Sequence, residues 1–311
     1  MNYKILYSVF FVIILVGVIF GTVMSLYINI YDPEWHGLFS NSSNDDMKKR
    51  IFLIGSSSVY SIDSGYINNE LSLNGKNYEM YNLADMSDTP KKRLQSISNI
   101  LSHNPDIIVY GLDVSNFKPH FQNEIPLSEL ILHPKNLFKN NFNDIMIPIQ
   151  EKIPGSPKDR TLLTLKYILF GPEPHHHPFI NFYETPITPI NELPDLGDNT
   201  NLTRLDLSEN SEQMISFKKL ITEFKKNDIK VIVFSTPYHK THVVQNDVEL
   251  FEEMLQEFSE KNDIPVYFLH EKYSEMEIWR DNIHVAINQD VQIYTNDILE
   301  ILLKEMSNSA I

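Results

Sequence analysis

The first stretch of the chain shows no alternation of polar and apolar positions. From Ile5 to Tyr31 there is no charged side chain, and the centre, Phe10 to Phe20, is apolar on every face. About 20 such residues at 1.5 Å rise cross the roughly 30 Å hydrocarbon core of a bilayer, so residues 1–31 are read as an N-terminal transmembrane anchor. A cleavable signal peptide is the rival reading. Its apolar core is usually only ~7–15 residues, and Val23-Met24-Ser25 makes a poor cleavage site. Lys4 before the span and Asp32 and Glu34 after it favour an inside N-terminus, although Lys48-Lys49-Arg50 lies only about 20 residues beyond. The acceptor triplets Asn41-Ser42-Ser43 and Asn201-Leu202-Thr203 also suit an outward-facing C-terminal domain.

Residues 32–49 are polar and turn-rich and read as a tether. Beyond them, short β-like runs alternate with helical spacing. The strands expected are Ile51–Ile54, a shorter one through Tyr78, Met80 and Leu83, then Asp106–Tyr110, Lys230–Phe234 and Pro265–Leu269. Thr89-Pro90 signals a helix start, followed at helical spacing by Leu94, Ile97, Ile100 and Leu101. Residues 212–227 repeat the pattern. Asn246 is expected to cap a helix carrying Val248, Phe251 and Leu255, and Asn288 a last one carrying Val291, Tyr294, Ile298 and Leu302. Such alternation predicts an α/β layer fold over residues 50–311, with a mostly parallel sheet covered on both faces. Residues 117–200 break the rhythm. They hold twelve of the 17 prolines, with helix-like pieces only at Leu127–Phe138 and Arg160–Phe170, and read as an insertion that could wall a cleft.

Composition narrows the chemistry. The chain has no cysteine, which excludes disulfides, thiolate metal sites and a cysteine nucleophile. With 26 Lys and Arg against 41 Asp and Glu, no nucleic-acid partner is expected. Lys4 is the sole charged side chain before Asp32, so the residues beyond the apolar span, with 25 basic and 41 acidic side chains, carry a net charge of −16. There is no glycine-rich phosphate loop and no dinucleotide fingerprint, and no cofactor is expected. His175-His176-His177 invites a metal reading, but adjacent histidines in an irregular stretch diverge and no carboxylate spacing completes a site, so no metal is expected.

Ligands in open parallel sheets bind beyond the carboxyl ends of the strands. There the sequence offers Gly55-Ser56-Ser57-Ser58, Ala84-Asp85-Met86-Ser87-Asp88, Gly111-Leu112-Asp113, Ser235-Thr236-Pro237-Tyr238-His239 and, before the last helix, Trp279-Arg280-Asp281-Asn282-Ile283-His284. Ile51-Phe52-Leu53-Ile54-Gly55-Ser56-Ser57, together with Asp281-Asn282-Ile283-His284, resembles the SGNH (GDSL-like) hydrolase superfamily. The likeness is greatest to its membrane-anchored branch of teichoic-acid D-alanylation and alginate-acetylation proteins. It covers residues 50–116 and 228–304, and implies a three-layer, flavodoxin-like sheet. It also implies that Ser57 is the nucleophile, His284 its general base and Asp281 the group that orients the imidazole. The chemistry asks for such a trio, because a serine hydroxyl is a weak nucleophile near neutral pH until a base takes its proton.

The oxyanion donors are where the sequence departs from the superfamily. The resemblance implies the Ser57 N–H, a backbone N–H where Ser87 replaces the usual glycine, and an asparagine where Asp113 stands. Asn116 or Asn82 could substitute, since an ionised carboxylate cannot donate. Asp113, His239 and His242 are expected to line the pocket, and Trp279 to be packing. The activity implied is a serine esterase or O-acyltransferase on acyl esters of cell-envelope glycans, held in the cell membrane as a single-pass protein. An acylated glycan or other ester is the substrate, the bilayer is a partner through residues 5–31, and a membrane O-acyltransferase is a possible partner. The rival, from another class, is a catalytically silent envelope protein of the same fold that binds a polymer or a membrane partner.

Overall fold

Five runs of β-branched, aromatic and aliphatic residues become five parallel strands. The computed structural model describes residues 7–9, 11, 12, 15, 48–85, 88–118, 185–193, 205–239, 245–288 and 291–308. The chain divides into two units, one of residues 1–41 and 124–175, the other of 42–123 and 176–311. Of the first, residues 7–9, 11, 12 and 15 are helical, and the rest of the expected anchor lies outside the described residues. Among the described residues no helix is long and apolar enough to cross a membrane. His175-His176-His177, His242, Ser87 and the helix-like pieces of the insertion are likewise outside them.

The second unit carries the sheet. In chain order it comprises β1 (Lys49–Ile54), a 3₁₀ turn (Ser57–Val59), α1 (Ser64–Leu73), β2 (Tyr78–Asn82), α2 (Pro90–Gln95), α3 (Ile97–Ser102) and β3 (Ile107–Leu112). A second 3₁₀ turn (Val114–Phe117) and a third (Ile190–Glu192) precede α4 (Glu212–Lys226), β4 (Lys230–Ser235), α5 (Gln245–Asn262), β5 (Val266–Phe268) and α6 (Ile293–Asn308). The strand order is β2-β1-β3-β4-β5, and every pairing is parallel. β1 and β3 are central and almost wholly buried, which is why Ile51–Ile54 and Ile107–Val109 read as unbroken apolar runs. At the β2 edge the Asn68 amide stands in for a neighbouring strand: its Oδ1 accepts from Met80 N at 2.6 Å and its Nδ2 donates to Met80 O at 3.0 Å.

Several boundaries differ from the sequence reading, each for a local reason. The helix expected from Thr89-Pro90 starts there, with Thr89 Oγ1 accepting from Lys92 N, but it breaks at Ser96, whose hydroxyl donates back to Arg93 O at 3.1 Å. Asn246 lies inside α5 rather than capping it. Val291 is buried but precedes α6, bonded in a turn to Asn288 O. β3 runs on through Gly111-Leu112, and β5 is cut to three residues. Helix α1 has no sequence counterpart in the reading above; its apolar face is narrow, and Asp63 caps it by accepting from Tyr66 N at 2.9 Å.

What sets the site is the meeting of β1 and β3 at their carboxyl ends. Gly55 has φ +150°, and a Cβ there would lie 2.7 Å from the Gly111 carbonyl oxygen. A Cβ on Gly111 would lie 2.5 Å from Val59 Cγ1 and 2.8 Å from Phe234 Cζ. Two glycines thus form a notch that receives Val59 and seats the Ser57–Val59 turn against the sheet. Alanine at residue 55 must displace backbone, so Gly55→Ala is expected to lower stability by about 1–3 kcal/mol. Urea denaturation checks this; an unchanged midpoint would mean that the two strand ends separate freely.

Candidate active site

The three consecutive serines after β1 have different fates. Ser56 Oγ and Ser58 Oγ are buried and hydrogen-bonded to each other at 2.8 Å, and Ser56 Oγ also accepts from Ser58 N. Ser57, between them, turns outward and is half-buried. Its hydroxyl lies 2.8 Å from His284 Nε2. At the first position of the 3₁₀ turn its N–H has no acceptor within the turn.

His284 comes from the far side of the sheet, where Asp281 organises the local chain. Asp281 Oδ1 accepts from Ile283 N at 3.1 Å and from His284 N at 2.9 Å, and it also takes the His284 Nδ1–H at 2.7 Å. A carboxylate on Nδ1 fixes the proton there and leaves Nε2 to accept from Ser57. Burial alone would raise the Asp281 pKa. The hydrogen bond and charge of His284, the Ile283 N–H and Arg280 outweigh it and hold the carboxyl below the usual carboxylate range. The i to i+3 spacing therefore brings Ser57, His284 and Asp281 into one hydrogen-bonded chain.

Arg280, which the sequence reading passed over, donates from Nε to Asp281 Oδ2 at 3.0 Å, and its Nη2 stands 2.9 Å from the same oxygen. Its place beside the Asp281–His284 block was the available signal.

The other anticipated groups do different work. Asn82 is fully buried, and both its amide hydrogens are used, by Val59 O at 3.0 Å and Ile62 O at 3.1 Å, so it cannot serve an oxyanion; it clamps the chain just past the Ser57 turn. Asn116 accepts from Asp113 N at 2.7 Å through Oδ1 and gives one Nδ2 hydrogen to Asp88 O at 2.8 Å. It ties the loop after β3 to the loop after β2. Asp113 caps the 3₁₀ turn that follows β3, accepting from Ser115 N. His239 is buried against Trp279, with ring centroids 5.9 Å apart, and its backbone N–H bonds Asn282 O, linking the end of β4 to the Asp281–His284 turn. Trp279 is fully buried, which suits packing. The loop after β2 is held by a buried pair: Arg93 donates to Asp88 Oδ2 from Nε and Nη2, at 2.9 and 2.6 Å, and to Leu83 O. No group of three or more His, Asp or Glu that could hold a metal occurs among the described residues.

A second hydroxyl–imidazole–carboxylate array lies at the ends of β4 and β5. Ser235 Oγ is 2.7 Å from His270 Nδ1, and Glu252 Oε1 is 2.9 Å from His270 Nε2. Ser235 is fully buried, and its oxygen accepts from both Leu269 N and His270 N. Burial keeps the imidazole pKa low despite Glu252.

The Asp281 carboxyl gives the site a pH signature. Because its folded-state pKa lies below the unfolded value of about 4, its stabilising contribution is present above that pH and is lost progressively below it, as pH falls through the folded-state value. The stability difference between wild type and Asp281→Asn should accordingly be full above about pH 5 and shrink below about pH 4. Urea midpoints across that range test it, and a difference that stays constant into acid would contradict the assignment.

No protein-family model matches the chain, and no curated protein matches it. Among solved structures the chain is similar to the esterase EstA of Pseudoalteromonas sp., at TM-score 0.43 and 9% identity, covering 84% of this chain and 100% of that one. It is also similar to a GDSL-like lipase of Bacteroides thetaiotaomicron (TM-score 0.37, 12% identity, 85% and 89% covered) and to AlinE4, an SGNH-hydrolase family esterase (0.37, 12%, 85% and 97%).

Proposed function

We propose that this chain is a serine-dependent esterase or O-acyltransferase of the SGNH type. The observation that carries the proposal is the 2.8 Å contact of Ser57 Oγ with an imidazole whose other nitrogen is bonded to Asp281. In the reaction, Ser57 Oγ attacks an ester carbonyl carbon while its proton passes to His284 Nε2, and Asp281 stabilises the imidazolium. The carbonyl oxygen takes up the negative charge, facing the Ser57 N–H. Collapse breaks the acyl–oxygen bond, and His284 returns the proton to the departing alcohol. The acyl-serine then passes its acyl group to water or to a second hydroxyl, with His284 again the base. Among the described residues one Asn116 amide hydrogen has no acceptor, and the Ser87 N–H is the further donor of the proposal. Acyl esters of envelope glycans are the proposed substrates. The uncharged stretch from Ile5 to Tyr31 supports a single-pass anchor with the catalytic unit on the outer side of the cell membrane, where a membrane O-acyltransferase would be a fitting partner.

One observation favours a silent binding protein instead: the position at which the superfamily supplies an asparagine donor is a carboxylate, Asp113, and loss of one such donor typically costs about 100- to 1000-fold in rate. A fluorophosphonate probe separates the two readings. The wild-type chain should be labelled, Ser57→Ala should not, and His284→Gln should react at least about 1000-fold more slowly. An unlabelled but folded wild type would leave the silent reading standing.

A further inference from the structure

Asp281 and His284 sit at the tip of a short hairpin. Trp279 and Val285 pair across it as an antiparallel bridge, Ala286 N donates to Ile278 O at 2.7 Å, and Arg280 N donates to His284 O at 2.9 Å. An isolated hairpin of this size is marginal in water, so its outward-facing backbone groups need partners.

The segment 185–193, the far end of the proline-rich stretch, supplies them. Thr188 grips the arm before the tip, its N–H bonding Trp279 O and its hydroxyl bonding Arg280 O, both at 2.7 Å. Thr185 grips the arm after it. Its N–H donates to Ile287 O at 2.9 Å, and its hydroxyl accepts from Ile287 N at 2.6 Å. Each threonine precedes a proline, Pro186 or Pro189, and a residue before proline is biased to extended backbone, the shape a strap across two arms requires. The strap is itself anchored: Thr185 and Leu193 are buried, and Ile187 packs against the apolar core.

We infer that Thr185 and Thr188 are positioning residues that hold the Asp281–His284 hairpin in register with Ser57. The inference rests on the serine-hydrolase reading for its catalytic meaning. Ser57 is fixed to β1, whereas His284 reaches it from a loop with little regular structure of its own. The 2.8 Å contact between them is therefore only as well set as the hairpin. Misplacement by about 1 Å of groups that act in concert can cost on the order of 100-fold in rate. A strap that merely added stability would leave that contact unchanged when one of its bonds was removed from an otherwise folded chain.

The test compares the full-length wild-type chain with Thr188→Val, which removes the hydroxyl donor at nearly constant shape, and Thr188→Ser, which restores it. Two readouts are taken: the rate constant for fluorophosphonate labelling, and the strongly deshielded proton resonance of His284 Nδ1–H, identified by its loss in His284→Gln. Thr188→Val is expected to slow labelling roughly 10- to 100-fold and to shift or broaden the resonance, while Thr188→Ser stays near wild type on both. If Thr188→Val does not fold, Thr188→Ala removes the same donor without setting a methyl group against the Arg280 carbonyl, and the same changes are expected. Wild-type labelling and an unchanged resonance in the folded variant would overturn the inference, as would the absence of the resonance from the wild type. Failure of the probe to label the wild type would instead refute the hydrolase reading, while the resonance would still report on the strap.

Discussion

The close approach of two backbones at Gly55 and Gly111 is the constraint on which the rest depends. Parallel strands keep a fixed spacing along their hydrogen-bonded length, but here β1 and β3 meet where β1 is already turning away. Side chains at either residue would collide with a carbonyl oxygen or with Val59. Removing both Cβ atoms lets Val59 fill the notch, and Val59 lies two residues beyond Ser57. The Ser57 turn is thereby pinned to the buried carboxyl ends of β1 and β3, and its hydroxyl position is inherited from the core rather than from a loop.

Polar groups then hold what the core cannot reach. Asn82, at the end of β2, spans to Val59 O and Ile62 O and fixes the chain leaving the turn. Arg93 gathers Asp88 and Leu83 O, so the loop after β2 is braced from beneath by a buried ion pair. Asn116 bonds that loop to the one after β3. Each of these side chains is nearly fully buried and hydrogen-bonded, which fixes one conformation, although among the described residues Asp88 Oδ1 has no partner. Three of the loops at the carboxyl edge of the sheet are thus one connected piece, and the fourth, bearing His239, joins the Asp281–His284 turn through a backbone bond.

How much of this the sequence discloses depends on the range over which each signal acts. Ile51–Ile54 and Ile107–Val109 are legible as buried strands because parallel-sheet cores write themselves as unbroken apolar runs. The Asp281-to-His284 spacing is legible because both partners lie within one turn. The choice of Ser57 over its neighbours could be read only from the resemblance; by hydrogen bonding it follows from Ser56 and Ser58 satisfying each other. Asn82 looks like any turn asparagine until carbonyls 20 and 23 residues earlier are brought to it. Thr188 had no periodicity to declare it, since it lies in a proline-rich stretch and acts through bonds to residues about 90 positions later. The break at Ser96 and the early end of β5 are likewise decided by local backbone bonds that compete with propensity on nearly equal terms.

A second array of the same groups in the same molecule shows how different two serine–imidazole contacts of nearly equal length can be. Ser235, His270 and Glu252 present the same three functional groups as Ser57, His284 and Asp281, with serine–imidazole separations of 2.7 and 2.8 Å. Distance therefore does not distinguish them. Lone pairs and access do. Ser235 Oγ already accepts two backbone N–H bonds and is sealed from solvent, so attack would require breaking those bonds and opening the core. Its imidazole is entered through Nδ1 rather than Nε2, and the ring lies stacked on Tyr238. Ser57 Oγ is half-exposed, and its imidazole partner offers Nε2 with Nδ1 already committed to a carboxylate that, against burial, His284 itself, the Ile283 N–H and Arg280 keep ionised. The first array is a joint that fastens β4 to β5 and α5; at the second, Ser57 Oγ is half-exposed beside an imidazole nitrogen, the arrangement that the proposed acyl transfer requires.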